Sequence, residues 1–271
     1  MESNLKETHL VTHFINMIEE DKCTKEAIPI MDYPLYKGSL KQLPSSKKII
    51  INTINQYSYC LAEEDPEFKT ALQTSEILLP DGIAIVAAVR LLEGQKITKI
   101  AGADLHQHLL SRLNKESGKC LYLGSSEYTL QKIKDRLAVE FPAVQVSTFS
   151  PPYKAEFSGS ENAEMIGAVN DFAPDVLFIG MTAPKQEKWA HAHKEDLDAQ
   201  TICSIGAVFD FYAGTVERPS AIWIKLGLEW LGRLIKEPRR MWKRYLFYGP
   251  VFIYKVLREK VKQKTAGENI R

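Results

Sequence analysis

Apolar residues along this chain concentrate in short runs, separated by longer stretches in which they recur every third or fourth position. The runs cover residues 48–52, 77–79, 120–123, 144–148, 176–179 and 201–205. Bounded by Gly, Pro or polar residues, they read as buried strands. Between them lie segments of helical period at 58–74, 83–92, 104–116, 127–141, 161–172 and 184–198. Strands that alternate with helices predict an α/β fold, a Rossmann-like parallel sheet flanked by helices on both faces. Ligands of such sheets bind beyond the carboxyl ends of the strands. The residues to search are therefore 52–55, 80–82, 124–126, 150–153, 180–186 and 206–214.

The ends of the chain depart from this pattern. Residues 1–45 read as an irregular start, with Pro29, Pro34, Gly38 and Pro44 as turn markers. Beyond residue 218 the strand–helix alternation stops. Ser220 can cap a helix over 221–236, Pro238 starts or kinks a second segment, Gly249-Pro250 breaks the chain again, and a helical period resumes over 251–262. We expect a catalytic α/β domain over 1–217 and a C-terminal helical appendage over 218–271.

Charge sharpens that division. Residues 218–262 hold twelve Lys/Arg and three Asp/Glu, a net of +9, whereas the rest of the chain holds 23 basic and 31 acidic residues, a net of −8. The overall +1 conceals this asymmetry. Three of the four tryptophans (Trp223, Trp230, Trp242) also lie in the basic segment. Cations interleaved with large aromatics suit a surface that meets an anionic, partly apolar partner, and a lipid headgroup layer fits that description.

Composition excludes several classes. The start of the chain is polar and acidic, with no apolar core of a secretory signal. No apolar stretch approaches the roughly 18–20 residues that span a bilayer. The expectation is a cytoplasmic protein, peripheral at most on the membrane. Cys23, Cys60, Cys120 and Cys203 are widely spaced, against a disulfide framework or zinc site. His106/His108 and His191/His193 are two residues apart, so a helix would point them to different faces; they read as solvated or structural. There is no GxGxxG and no Walker A loop. Asp196 and Asp198 precede a strand and so sit on the wrong side of a parallel sheet for a ligand.

Four strand-end constellations can carry chemistry. Thr53 and Asn55 can grip a sugar or phosphate, although a turn that caps the next helix is the simpler reading. Asp81, between Pro80 and Gly82, is equally a helix N-cap or a catalytic base whose proton affinity partial burial would raise. In the segment 179–189, Pro184 suits the first turn of a helix, and free backbone N–H groups there favour an anion. Gln186 and Glu187 can meet a ligand in that turn, or Glu187 can merely complement the helix dipole. Asp210, flanked by Phe209 and Phe211, can hydrogen-bond a base or ribose.

Taken together these pieces resemble the WecG/TagA/CpsF family of bacterial glycosyltransferases. The resemblance runs from about residue 28 to 245 and rests on Thr53-x-Asn55, Pro80-Asp81-Gly82, Gly102-x-Asp104-Leu105, Pro184-Lys185-Gln186-Glu187, Gly206 through Arg218-Pro219, and the tail stretch 227–240. It implies a metal-independent, cofactor-free, inverting transfer from a UDP-sugar to an undecaprenyl-diphosphate-linked sugar, in teichoic acid or surface polysaccharide synthesis. By the same resemblance Asp81 is the general base. Thr53, Asn55 and Gln186 line a sugar, and Asp210 and Tyr153 hold the uridine. Arg233 and Arg240, with Arg239 and Arg244 beside them, meet the lipid diphosphate and the leaving UDP. Lys99 stands where the family usually has arginine, which keeps the charge but loses the bidentate fork.

Two other readings of the tail compete. A non-enzymatic nucleotide- or nucleic-acid-binding module would use its cations, but Ile222, Leu226, Leu228, Leu231 and Leu234 around the tryptophans suit apolar docking better than base stacking. A homo-oligomer interface is compatible with the enzyme reading. The partners expected are thus a UDP-sugar, a polyprenyl-diphosphate acceptor and the inner membrane surface, and no nucleic acid.

Overall fold

The computed structural model describes residues 27–44, 48–217, 223 and 228–268. Its centre is an eight-stranded sheet in the order β1-β2-β4-β3-β8-β7-β5-β6. The strands are β1 (Ala27–Ile30), β2 (Tyr33–Tyr36), β3 (Ile49–Ile54), β4 (Ile77–Pro80), β5 (Lys119–Leu123), β6 (Gln145–Phe149), β7 (Val176–Ile179) and β8 (Thr201–Ser204). Only β1 and β2 pair antiparallel; every other pairing is parallel. All six strands read from the apolar runs are present, with no end moved by more than two residues.

The helices are α1 (Gln56–Ala62), α2 (Pro66–Gln73), α3 (Ile83–Glu93), α4 (Gly102–Glu116), α5 (Glu127–Glu140), α6 (Gly159–Phe172), α7 (Lys185–His193) and α8 (Val208–Ala213). They cover both faces of the sheet. One face packs Ile49, Ile51, Cys203 and Ile205 against Leu105, Leu109 and Leu113 of α4. The opposite face packs Ile50, Leu177 and Ile202 against Met165, Val169, Trp189 and Ala190 of α6 and α7. Alternation of side chains along each strand produces this division.

Three expectations about elements of the body are corrected. Residues 27–36 are not irregular: they form a hairpin whose two turn residues, Met31 and Asp32, have φ of 43° and 71°. That is the positive-φ geometry a two-residue hairpin turn requires, and β2 then extends the sheet beside β4. The single helix expected over 58–74 is two helices, because Asp65 caps α2 by accepting from Phe68 N–H and Pro66 occupies its first position. The helix expected over 184–198 ends at His193.

The C-terminal segment holds α9 (Glu229–Lys236), α10 (Pro238–Trp242), a π-helical turn (Lys243–Phe247) and α11 (Tyr248–Glu268). Pro238 starts α10 as expected, but Gly249-Pro250 does not break the chain. Pro250 has no N–H to give and crowds the preceding turn; the wider π turn just before it accommodates that, and helix continues to Glu268. Ser220 and the motif residues 218–222 and 224–227 lie outside the described residues. Tyr248, Phe252 and Val256, spaced four apart on α11, are buried against Tyr59, Cys60, Ala88 and Leu92 of α1 and α3. A fully buried side chain of this size contributes about 1.5–3 kcal/mol, so three of them anchor α11 to the body. Among the described residues no helix is long and apolar enough to cross a membrane.

Candidate active site

The carboxyl ends of β3, β4 and β8 and the helices that follow them frame the site. Asp81 lies one residue past β4, and its backbone N–H donates to the Ile54 carbonyl at 2.9 Å, which fixes it beside the end of β3. Gly82, at φ +103°, then turns the chain into α3, a conformation few other residues adopt. A side chain at Gly82 would also approach Asn55 and Gln56. Asp81 is therefore not the cap of α3; Gly82 is the residue before that helix.

Charges converge on this half-buried carboxylate. Burial raises its proton affinity above the ordinary carboxylate value, and Glu229 adds to the rise. Lys99, Arg244 and Arg233 oppose it. Two of these three cations, and Glu229, come from the C-terminal segment, so the tail supplies much of the field at a strand end of the body. Lys99 Nζ bridges to Glu229 Oε2 at 3.2 Å and ties α9 to the segment before α4. The Arg244 guanidinium lies over the Tyr57 ring at 4.8 Å and that of Arg233 over the Phe211 ring at 5.3 Å. Two nitrogens of Arg233, Nε and Nη2, are buried and find no hydrogen-bond partner in the protein. Burial, followed by repulsion from Arg233, lowers the proton affinity of Arg244. A half-buried cationic pair with unspent donors on Arg233 is a site for an anion with several oxygens.

The first turn of α7 brings in two more groups. Gln186 and Glu187 are both buried, and Gln186 Nε2 donates to Glu187 Oε1 at 2.8 Å. Gln186 Oε1 and Glu187 Oε2 have no partner in the protein. Burial lifts the Glu187 carboxyl from its ordinary 4.5 to about 7, against the pull of the Gln186 hydrogen bond and of Arg244. Glu187 thus lies within the field of the tail. Sequence reasoning left its role open, because first-turn acidic residues are ordinarily solvated helix caps; its polar neighbours Lys185, Gln186 and Lys188 gave no sign of burial.

The sign of a Glu187 effect on stability follows. Its folded proton affinity is the higher one, so its contribution to stability is complete below about pH 4.5 and declines until about pH 7. Glu187→Gln removes that decline. Above pH 7 the variant should be more stable than the parent by on the order of 3 kcal/mol, with little difference near pH 4. Urea denaturation at both pH values checks this, and equal differences at the two would refute it.

The other expected residues divide into two groups. Thr53 is half-buried near the end of β3, and Asn55 follows the strand. Asn55 Oδ1 accepts from the Tyr57 and Ser58 N–H groups at 3.0 and 3.1 Å, so its oxygen caps α1. Asp210, in α8, accepts from the Thr215 hydroxyl at 3.2 Å. Tyr153 stands fully exposed in the loop after β6. Arg239 and Arg240 are exposed on α10, and Arg240 pairs with Glu237 at 2.8 Å. The fold thus assembles Asp81, Lys99, Arg233 and Arg244, and does not bring Tyr153, Arg239 or Arg240 into that cluster. His106 is buried beside the Tyr122 hydroxyl at 2.6 Å and burial lowers it to about 3, so it is a neutral core residue. Asp196 and Asp198 are exposed before β8, at the opposite end of the sheet from Asp81.

Comparison with known proteins shows the family. The model of the glycosyl transferase WecG/TagA/CpsF family matches residues 34–266, which includes most of α11. An N-acetylglucosaminyldiphosphoundecaprenol N-acetyl-beta-D-mannosaminyltransferase of Bacillus subtilis (strain 168) is 30% identical over 216 residues, 80% of this chain and 82% of the relative. A protein of the same name from Bacillus spizizenii is 26% identical over 216 residues, 80% of this chain and 81% of the relative.

Proposed function

Because this chain belongs to the WecG/TagA/CpsF family and is a glycosyltransferase, we propose that it moves an N-acetylmannosamine-type sugar from a UDP-sugar to undecaprenyl-diphosphate-linked N-acetylglucosamine. The relatives' names support that donor sugar and acceptor. The observation that carries the mechanism is Asp81, a carboxylate of raised proton affinity among Lys99, Arg233 and Arg244.

In this reading Asp81 accepts the proton of the acceptor hydroxyl as its oxygen forms a bond to the anomeric carbon. The bond from that carbon to the UDP oxygen breaks on the opposite side, which inverts the configuration. UDP departs with increased negative charge. Arg233 and Arg244 stabilise that charge, the part a divalent metal plays in other transferases, so the transfer proceeds without one. Thr53, Asn55 and Gln186 contact the sugars, Asp210 and Tyr153 the uridine, and Lys99 a phosphate. Arg239 and Arg240, exposed on α10, reach the lipid diphosphate.

The tail in this reading serves the membrane as well as the site. Its outer face exposes Trp242, Leu246, Phe247, Ile253, Tyr254, Leu257 and Val261, with Lys243, Arg258 and Lys262 among them. An apolar stripe flanked by cations docks in the headgroup layer of an anionic leaflet. Residues 1–217 then form the catalytic body and 218–271 the appendage that carries it to the cytoplasmic face. Incubation of the protein with a panel of UDP-sugars and a short-chain prenyl-diphosphate N-acetylglucosamine, in chelator, tests the whole reading. We expect a disaccharide product by mass with UDP-N-acetylmannosamine; no product with any donor would refute the reading.

A further inference from the structure

Four buried oxygens beneath the site have no partner within the protein: Asn52 Oδ1, Gln186 Oε1, Glu187 Oε2 and Ser204 Oγ. The register places them together. β3 and β8 pair Ile50 with Ile202 and Ile51 with Cys203, and Asn52 and Ser204 stand one step further along. Two residues on from Ile50 and Ile202, they lie on the same face of the sheet as that pair. Trp189 and Ala190 of α7 pack on that face. Gln186 and Glu187 precede Ala190 by four and three residues, so they lie on the same side of the helix, one turn nearer its start. All four side chains therefore lie on the side where the ends of β3 and β8 approach the first turn of α7.

The hydrogen-bond accounting is unbalanced. Asn52 Nδ2 is occupied by Ser75 Oγ at 2.9 Å and the Ala71 carbonyl at 3.4 Å, which leaves only its oxygen for this space. Gln186 Nε2 is occupied by Glu187 Oε1. The four remaining atoms can all accept, whereas the donors at hand are the Ser204 hydroxyl, the second hydrogen of Gln186 Nε2 and, when it is protonated, the Glu187 carboxyl. Buried acceptors of this kind require donors, and a water molecule brings two. At Gly206 a side-chain carbon would come within 3.0 Å of Gln186 Oε1, so the bare backbone there leaves room beside the amide oxygen.

We infer that these atoms enclose an internal water site, and that Glu187 uses it as a positioning residue, holding the Gln186 carboxamide with its nitrogen tied back and its oxygen offered at the Gly206 turn. The ligand group that Gln186 selects is then a hydrogen-bond donor, either the amide N–H of an acetamido sugar or a sugar hydroxyl. This last step rests on the reading of Gln186 as a sugar contact.

Two measurements on the full chain test the inference. A high-resolution crystal structure should show an ordered water within hydrogen-bond distance of at least two of the four oxygens. A dry site, or side chains bonded directly to one another, overturns it. In kinetics, Glu187→Leu keeps the bulk but releases the Gln186 amide, and should raise KM for the nucleotide sugar about ten-fold with kcat little changed. Glu187→Gln should restore the parent KM, because its oxygen still accepts from Gln186 and its amide hydrogens face the water. A parent-like KM in Glu187→Leu, or equal impairment in both variants, overturns the positioning role. Failure of the functional reading would show separately, as absence of turnover by the parent protein, and the crystallographic water would then decide alone.

Discussion

Asp81→Asn is expected to slow sugar transfer by about 100- to 10,000-fold, the range a positioned general base contributes. Asparagine keeps the shape of the side chain and cannot accept the acceptor proton. The nucleotide sugar should still bind with near-parent affinity, because Lys99, Arg233 and Arg244 remain. The fold should tolerate the change, since burial already disfavours the charged form of Asp81. The pH profile offers a second check. A base works only when deprotonated, so kcat/KM of the parent should fall as pH drops through the proton affinity of Asp81. That limb should lie above the ordinary carboxylate value, in the direction its surroundings push it. Single-turnover rates and donor titration by calorimetry measure both effects. Turnover within a few-fold of the parent would remove Asp81 from the chemistry.

Arg233→Ala and Arg244→Ala should each reduce kcat by about 100- to 1,000-fold, comparable with removal of a donor that stabilises transition-state charge. Their combined effect should be less than the product, because in the proposed mechanism both act on the same departing diphosphate. Arg244→Lys should recover only part of the rate, since lysine lacks the planar fork and the stacking on Tyr57. Stability separates this role from a structural one. Arg233 buries two nitrogens with no partner, so its removal should leave the melting temperature unchanged or higher. Flotation with anionic vesicles separates it from membrane docking. Both variants should float as the parent does, because the exposed stripe from Trp242 to Val261 is untouched. Parallel loss of flotation and activity would make these arginines membrane anchors instead. Point substitutions serve better here than deletion of the tail, which would also strip Tyr248, Phe252 and Val256 from the hydrophobic cluster they share with Tyr59 and Leu92.

Much of the architecture was legible because it depends on local pattern. A run such as Val176–Ile179, apolar throughout, can be satisfied only inside a sheet covered on both faces, and its strand has those same bounds. The hairpin at 27–36 was not legible: Pro29 and Pro34 argue against strands, yet Pro29 lies on the edge strand β1, and Pro34 stands opposite it in β2, whose register with β4 is the single pair Leu35 and Leu78. The continuous α11 was missed for a related reason. Gly249-Pro250 reads as a break, and only the π turn before it reveals how the helix absorbs the proline.

The site divides in the same way. Asp81 could be found from its place after an apolar run and before a glycine, whereas Arg233 and Arg244 came from the family resemblance, together with Arg239 and Arg240. Nothing local shows that residues 81, 99, 229, 233 and 244 share one electrostatic neighbourhood, or that Glu187 is buried at its edge.

By itself the sequence determined the layered α/β fold, the candidate base at a strand end and the split between an acidic body and a basic tail. Hydrophobic period and charge sign are properties of neighbours along the chain, so they can be read without coordinates. Tertiary structure alone decided that the tail's cations act on Asp81, that Glu187 is buried with an unpaired oxygen, and that Asn52 and Ser204 each bury an oxygen without a partner. Proton affinity and hydrogen-bond satisfaction depend on which groups approach through space, and the groups that matter here are up to 163 positions apart in the chain.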